Sequence, residues 1–197
     1  MIVRKTLACL ALLAVLAGCG GTTEQTAQQP RPTSTLTAAN IPACVAPPGA
    51  SGTVDRGLPD ITLDCLVTGQ AVKLTDLRGT PMLVNIWAQW CGPCRQEAPF
   101  LKQLADTVAG SDKITVLGVD IADPQPAAAV KFASEHGWRY PQLKDPDKLL
   151  MEPLNLVGPP ATAFVAPSGE IRYLHLGPFT SYDELVGEVH DYLGVSL

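Results

Sequence analysis

Leu83-Val84-Asn85-Ile86-Trp87-Ala88-Gln89-Trp90-Cys91-Gly92-Pro93-Cys94-Arg95 decides how the rest of this chain is read. Leu83 to Trp87 form a short apolar run with one polar residue, Asn85, at its centre, the pattern of a strand buried on both faces. After the turn, Phe100, Leu101, Leu104 and Val108 recur at helical steps, so a helix starts at the cysteines and runs to about Val108. Cys91 then stands at a helix N-terminus, where unpaired N–H groups and the helix dipole favour negative charge. A thiol so placed ionises more readily, and the thiolate is the nucleophile. Cys94, one turn along, is positioned to attack a mixed disulfide made through Cys91. Gly92 lets the turn close, and Pro93 suits the first helical turn, where its missing N–H has no partner to lose. Pro99 lies too deep for the first turn and is expected to kink the helix.

On either side the pattern alternates strands and helices. Ile61–Leu66 and Ala71–Leu74, parted by a turn at Gly69, make an N-terminal β-hairpin, and Asp76-Leu77-Arg78-Gly79 turns into the central strand. Ile114–Val119 form the next strand, ending at Asp120. Asp123 is the expected N-cap and Pro124 the first residue of a second helix that carries Val130, Phe132 and Ala133 and stops at Gly137. A loop is expected from Trp138 to Asp147, then a short helix near Lys148–Leu154. Ala161–Ala166 and Ile171–Leu176 form a hairpin across Pro167-Ser168-Gly169, and Ser181-x-x-Glu184 is a capping box for a last helix ending near Leu193. A β-α-β unit, a hairpin and a closing helix predict an α/β domain with a mixed central sheet flanked by helices.

Length and composition bound the rest. With 197 residues, 46% of them apolar, the chain can bury one sizeable core. Residues 1–18 place Arg4 and Lys5 ahead of an apolar run from Leu7 to Leu16, the layout of a signal peptide. Leu16-Ala17-Gly18-Cys19 matches a lipobox, which makes Cys19 the expected lipidation site; an ordinary signal peptide is the alternative. Residues 19–57, rich in Gly, Thr, Gln and Pro, are expected to be a flexible tether, and 58–197 the folded domain, anchored by lipid on the extracytoplasmic face of the cell membrane. The net charge of −5 becomes −7 once Arg4 and Lys5 are gone, 12 basic against 19 acidic residues, which argues against a nucleic-acid partner. Of six cysteines, Cys9 lies in the leader and Cys19 at its end, while Cys91 and Cys94 form the motif. Cys44 and Cys65 remain, an even pair in an exported chain, and a structural disulfide closing a loop of about twenty residues is the leading expectation. A second redox-active pair is the alternative. A zinc site shared with Cys91 and Cys94 fits the count, but Pro93 and export speak against it.

Trp90-Cys91-Gly92-Pro93-Cys94 behind an apolar strand resembles the active-site motif of the thioredoxin superfamily. Val84-Asn85-Ile86-Trp87-Ala88 before it and Glu97-Ala98-Pro99 after it are similar to the extracytoplasmic TlpA/ResA/DsbE-like thiol-disulfide oxidoreductases, over roughly residues 58 to 195. The resemblance implies a thioredoxin-like fold with an inserted helix, catalysis by Cys91 and Cys94, and no cofactor or metal. It implies a cis-proline at Pro160 within Val157-Gly158-Pro159-Pro160-Ala161-Thr162, facing the cysteines, with Pro159, Pro160 and Trp90 contacting an extended client segment. Partners would be proteins with thiols or disulfides, together with a membrane redox partner. The direction stays open between a reductase, for example in cytochrome c maturation, and an oxidase that introduces disulfides. Asn85 departs from cytoplasmic thioredoxins, which carry an acid beneath the cysteines, and an amide cannot take the proton of Cys94. Glu97 is expected on the solvated side of the helix. His136, His175 and His190 are scattered, and Arg95 follows the motif where haem attachment would need histidine. His175 joining the two cysteines leaves one competing reading, a non-enzymatic copper-binding or delivery protein on the same fold, although such proteins space their cysteines by three residues.

Overall fold

The computed structural model describes residues 40–44 and 52–197; the leader, Cys19 and most of the 19–57 tether lie outside the described residues. Among the described residues no helix is long and apolar enough to cross a membrane. Seven strands form one mixed sheet: β1 (Thr62–Cys65), β2 (Ala71–Lys73), β3 (Met82–Trp87), β4 (Thr115–Ile121), β5 (Gln142–Asp145), β6 (Ala161–Val165) and β7 (Ile171–Leu176), in the order β2-β1-β5-β4-β3-β6-β7. Helices α1 (Gly92–Val108), α2 (Pro126–Glu135) and α3 (Tyr182–Leu193) flank it. Crossovers through α1 and α2 make β3, β4 and β5 parallel, and the remaining pairs are antiparallel, so the fold is the thioredoxin-like one. All six residues of β3 are buried, Asn85 among them, as befits a strand with neighbours on both sides and layers on both faces.

Contacts with the domain begin ahead of residue 58. Ile41 and Cys44 are buried, Gly57 bridges Glu170, and the Arg56 carbonyl accepts a hydrogen bond from Ile171 N at 2.9 Å.

Three local expectations are corrected. First, α2 starts at Pro126, not Pro124: Asp123 Oδ1 accepts from Gln125 N at 2.9 Å, an Asx-type turn that keeps Pro124 outside the helix. Second, the stretch expected to be loop contains β5, with Leu143 opposite both Cys65 and Val119. Third, Lys148–Leu154 forms turns in place of a helix. Asp145 draws Leu149 N (2.8 Å) and Leu150 N (3.0 Å) onto its carboxylate, while Lys148 and Asn155 take left-handed φ of 61° and 50° that no helix allows. By contrast α1 continues through Pro99, beside which Trp138 Nε1 donates to Ala98 O at 3.1 Å. At α3, Ser181 Oγ accepts from Glu184 N, and Glu184 reaches back to Thr180 N, one residue ahead of the cap.

Candidate active site

The register of the sheet builds the site. β3 and β6 run antiparallel with Asn85 opposite Thr162 and Ile86 opposite Ala161. One further step sets Pro160 against Trp87, so the segment entering β6 lies beside the motif leaving β3. The Pro159–Pro160 peptide bond is cis. Cys91 Sγ sits 3.5 Å from Pro159 O, and Pro160 O accepts from Gly177 N at 3.0 Å.

Cys91 is the N-cap of α1, and its Sγ accepts the Cys94 N–H at 3.1 Å, the position a serine or aspartate oxygen usually fills. Pro93 occupies the first turn. The two sulfurs are joined at 2.06 Å. Cys91 keeps 4% of its surface exposed and Cys94 none, so only Cys91 can be met by a sulfur from outside.

Asn85, Glu97 and Thr162 form a buried polar cluster joining β3, α1 and β6, of which only Glu97 departs from expectation. Glu97 is fully buried, not solvated. It falls on the helix stripe Cys94, Ala98, Leu101 and Leu104, all buried, one turn beyond Cys94 on the same side. Asn85 Nδ2 donates to Glu97 Oε1 at 2.9 Å and to Thr162 Oγ1 at 3.1 Å, and Phe179 N donates to Glu97 Oε2 at 3.2 Å. Burial pushes the Glu97 carboxyl up to about 7, against the pull of the Asn85 and Phe179 donors and of His175. An acid therefore does lie below the cysteines, supplied by the helix and not by the strand. The available signal was the pairing of a buried asparagine in an apolar strand with a carboxyl at helical spacing from Cys94.

A second buried acid stands at the end of β4. Asp120, opposite Trp87, is pushed up to about 8 by burial and by the charge of Asp123. Ala122, between them, has φ of 58°, and its carbonyl accepts the Trp90 indole N–H at 3.3 Å. Trp90 is thus held at one edge with 52% of its surface exposed next to Cys91. The Arg95 guanidinium bonds Gln89 O and lies 4.9 Å over the Phe132 ring, tying α1 to α2. Trp87 Nε1 donates to Gln142 Oε1 at 2.9 Å, and Gly118 is glycine because a Cβ there would come within 1.9 Å of that same oxygen. Neither Gln142 nor Gly118 was singled out by the sequence, although a glycine inside a strand is the usual sign of close approach.

The other candidates lie apart. Cys44 and Cys65 are bonded to each other, 3% and 0% exposed. Cys65 is three strands from β3, about 14 Å at ordinary strand spacing. Cys19 is outside the described residues. His175 does not join the motif: its Nδ1 lies 3.0 Å from Glu188 Oε1, and its ring stacks on Phe179 at 4.2 Å. With Glu184 and Glu188 it brings ligand-type atoms within 4.8 Å of one another. Those carboxylates are already engaged, Glu188 by His175 and Glu184 by Thr180.

Known proteins carry the same framework. The chain matches the Redoxin family over residues 53–192. It is 40% identical over 116 residues to the thiol:disulfide interchange protein DsbE homolog of Paracoccus denitrificans, spanning 57% of this chain and 61%, less than two thirds, of that relative. To the thiol-disulfide oxidoreductase ResA of Geobacillus kaustophilus it is 30% identical over 126 residues, 64% of this chain and 70% of the relative. A solved structure of a secreted Mycobacterium tuberculosis disulfide oxidoreductase homologous to E. coli DsbE matches with a TM-score of 0.59 at 27% identity, covering 67% of this chain and 96% of that one. The chain belongs to the Redoxin family, and its relatives there are thiol-disulfide oxidoreductases of the DsbE and ResA type.

Proposed function

We propose that this chain is an extracytoplasmic thiol-disulfide oxidoreductase, tethered to a membrane through lipidated Cys19, that passes two electrons between Cys91–Cys94 and client proteins. One observation carries the reading: a bonded cysteine pair at a helix N-terminus, of which only Cys91 reaches the surface, over a buried carboxyl poised near neutrality.

In the reducing direction the Cys91 thiolate attacks one sulfur of a client disulfide. The client S–S bond breaks, a mixed disulfide forms, and the departing client thiolate takes up a proton. Cys94 gives its proton to Glu97 and attacks Cys91 Sγ. The second client thiolate leaves, and the Cys91–Cys94 disulfide carries the oxidation. A membrane dithiol partner then resets the pair. The oxidising direction runs the same steps backwards. Gly92-Pro93 between the cysteines resembles reducing thioredoxins and favours a reductase whose clients include the cysteines of c-type cytochrome precursors.

The test is insulin-disulfide reduction by the dithiol form and by Cys91→Ser. The substitution should slow turnover by about a thousandfold or more, since among the described residues no other cysteine caps a helix. An unchanged rate would end the proposal. Equilibration of the pair in glutathione buffers then decides direction, a low potential marking the reductase and a high one the oxidase.

A further inference from the structure

A row of side chains runs from the buried polar cluster to the rim of the sheet. In the register of β3, β6 and β7, Asn85 stands opposite Thr162 and Thr162 opposite His175, so all three project from one face. Side chains so paired start about 5 Å apart, which puts His175 two steps from the Asn85 amide that holds Glu97. A second path leads the same way: the His175 ring stacks on Phe179 at 4.2 Å, and Phe179 N donates to Glu97 Oε2 at 3.2 Å. On the other side α3 fixes the ring, Glu188 accepting from Nδ1 at 3.0 and 3.1 Å. Titratable groups face the ring from several elements. Glu184 and Glu188 of α3 bring ligand-type atoms within 4.8 Å of it, α1 supplies Glu97, and on β7 itself Tyr173 meets it edge-on at 6.4 Å. β6 offers Thr162, which does not titrate. The lysine and arginine ion pairs of the described residues all lie elsewhere. Burial favours the neutral carboxyl of Glu97; the Asn85 and Phe179 donors oppose it, and the one charge that does so is on His175.

We propose that His175 is a positioning residue of the redox site, acting through Glu97: its protonated ring, held against Glu188, keeps the Glu97 carboxyl ionised at neutral pH and so able to take the proton of Cys94. The ring works at one remove from the sulfurs and extends the range of the site toward acid. Once the ring loses its charge, Glu97 holds a proton more readily, Cys94 keeps its own, and the mixed disulfide at Cys91 is resolved more slowly. The inference rests on the oxidoreductase reading above and deepens it.

The experiment follows the Glu97 carboxyl by carbon NMR across pH in the oxidised full chain, where Cys91 and Cys94 do not titrate, for the natural protein, His175→Gln and His175→Lys. Glutamine keeps a hydrogen bond to Glu188 and drops the charge; lysine keeps the charge and gives up the ring. The Glu97 midpoint should rise by about one pH unit in His175→Gln and return to within about a third of a unit of the natural value in His175→Lys. Insulin reduction by His175→Gln should fall by about fivefold relative to the natural chain near pH 6 and recover by about pH 9. If the two replacements move the midpoint alike, or neither moves it, the ring only packs Phe179 and the proposal is overturned. Nitrogen NMR of the natural chain gives a check that needs no variant. The His175 ring should still be protonated at the pH where Glu97 is half ionised, and a neutral ring there overturns the proposal as well. A natural chain that titrates as expected but reduces no insulin would overturn the oxidoreductase reading instead, with the coupling of His175 to Glu97 left standing.

Discussion

Among the described residues are two disulfides, built from the same bond in different surroundings. Cys91–Cys94 spans three residues at a helix N-terminus, accepts a backbone N–H, keeps 4% of Cys91 exposed, and has buried Glu97 one helical turn beyond Cys94. Cys44–Cys65 spans 21 residues, is almost wholly buried, and joins the lead-in segment to β1. The Cys44 sulfur faces Gln142 O at 3.2 Å and Cys44 N donates to the Cys65 sulfur, but no helix terminus or buried carboxyl attends either one. The two bonds differ in what surrounds them and not in exposure: one caps a helix beside Trp90 and Pro159, and the other ties the lead-in segment to the sheet, which on the proposed reading makes the first the exchanging bond and the second the structural one. Within the motif the proposed mechanism has Cys91, at the helix cap, met first and Cys94, wholly buried, resolving.

The largest effect that sharpens the contrast is kinetic. Cys94→Ser should leave Cys91 able to attack but not to be released, so a client-linked mixed disulfide accumulates and turnover falls by about a hundredfold or more. Non-reducing electrophoresis after mixing with a disulfide client reads this directly; rapid release without accumulation would remove Cys94 from the resolving role. The next effect is thermodynamic and belongs to the other bond. Replacing Cys44 and Cys65 together by serine should lower unfolding stability by about 3 kcal/mol, because the open chain regains the entropy of a loop of that length. Denaturant melts of the two proteins measure the loss. If insulin reduction fell with it by more than a few-fold in the still-folded protein, Cys44–Cys65 would have to be read as part of the electron path.

What could be read in advance follows how local the cause is. The strand-turn-helix around Cys91 was legible because hydrophobic period, turn residues and cysteine spacing agree within thirteen residues. Strand β5 was not, since Gln142-Leu143-Lys144-Asp145 has no apolar period and is extended only because β1 and β4 bind it from both sides. The start of α2 was displaced by two residues through one side-chain bond from Asp123, a competition invisible to propensity. Glu97 is the instructive miss. Its charge suggested solvent, whereas its position on the Cys94, Ala98 and Leu101 stripe and the need of buried Asn85 for a partner both pointed inward. At a functional site, position outweighs residue type, because the cost of burial there is carried for the chemistry.

That cost gives the smallest of the predicted effects. Glu97 releases its proton near 4.5 in the unfolded chain and near 7 in the folded one. Between those values the folded state holds a proton that the unfolded state has lost, so stability falls as pH rises, by about 2 kcal/mol between pH 5 and pH 8. Asp120, raised by burial and by Asp123, acts with the same sign. Glu97→Gln keeps the shape, and after a flip of the Asn85 amide its new N–H₂ finds an acceptor in Asn85 Oδ1, which now lacks a partner. In the oxidised protein, where Cys91 and Cys94 do not titrate, the variant should lose much of the downward slope while Asp120 preserves the rest. Urea melts at several pH values check it. Parallel curves for the two proteins would show that Glu97 keeps an ordinary carboxyl pKa, and it would then be too weak a base to hold the proton of Cys94 at neutral pH.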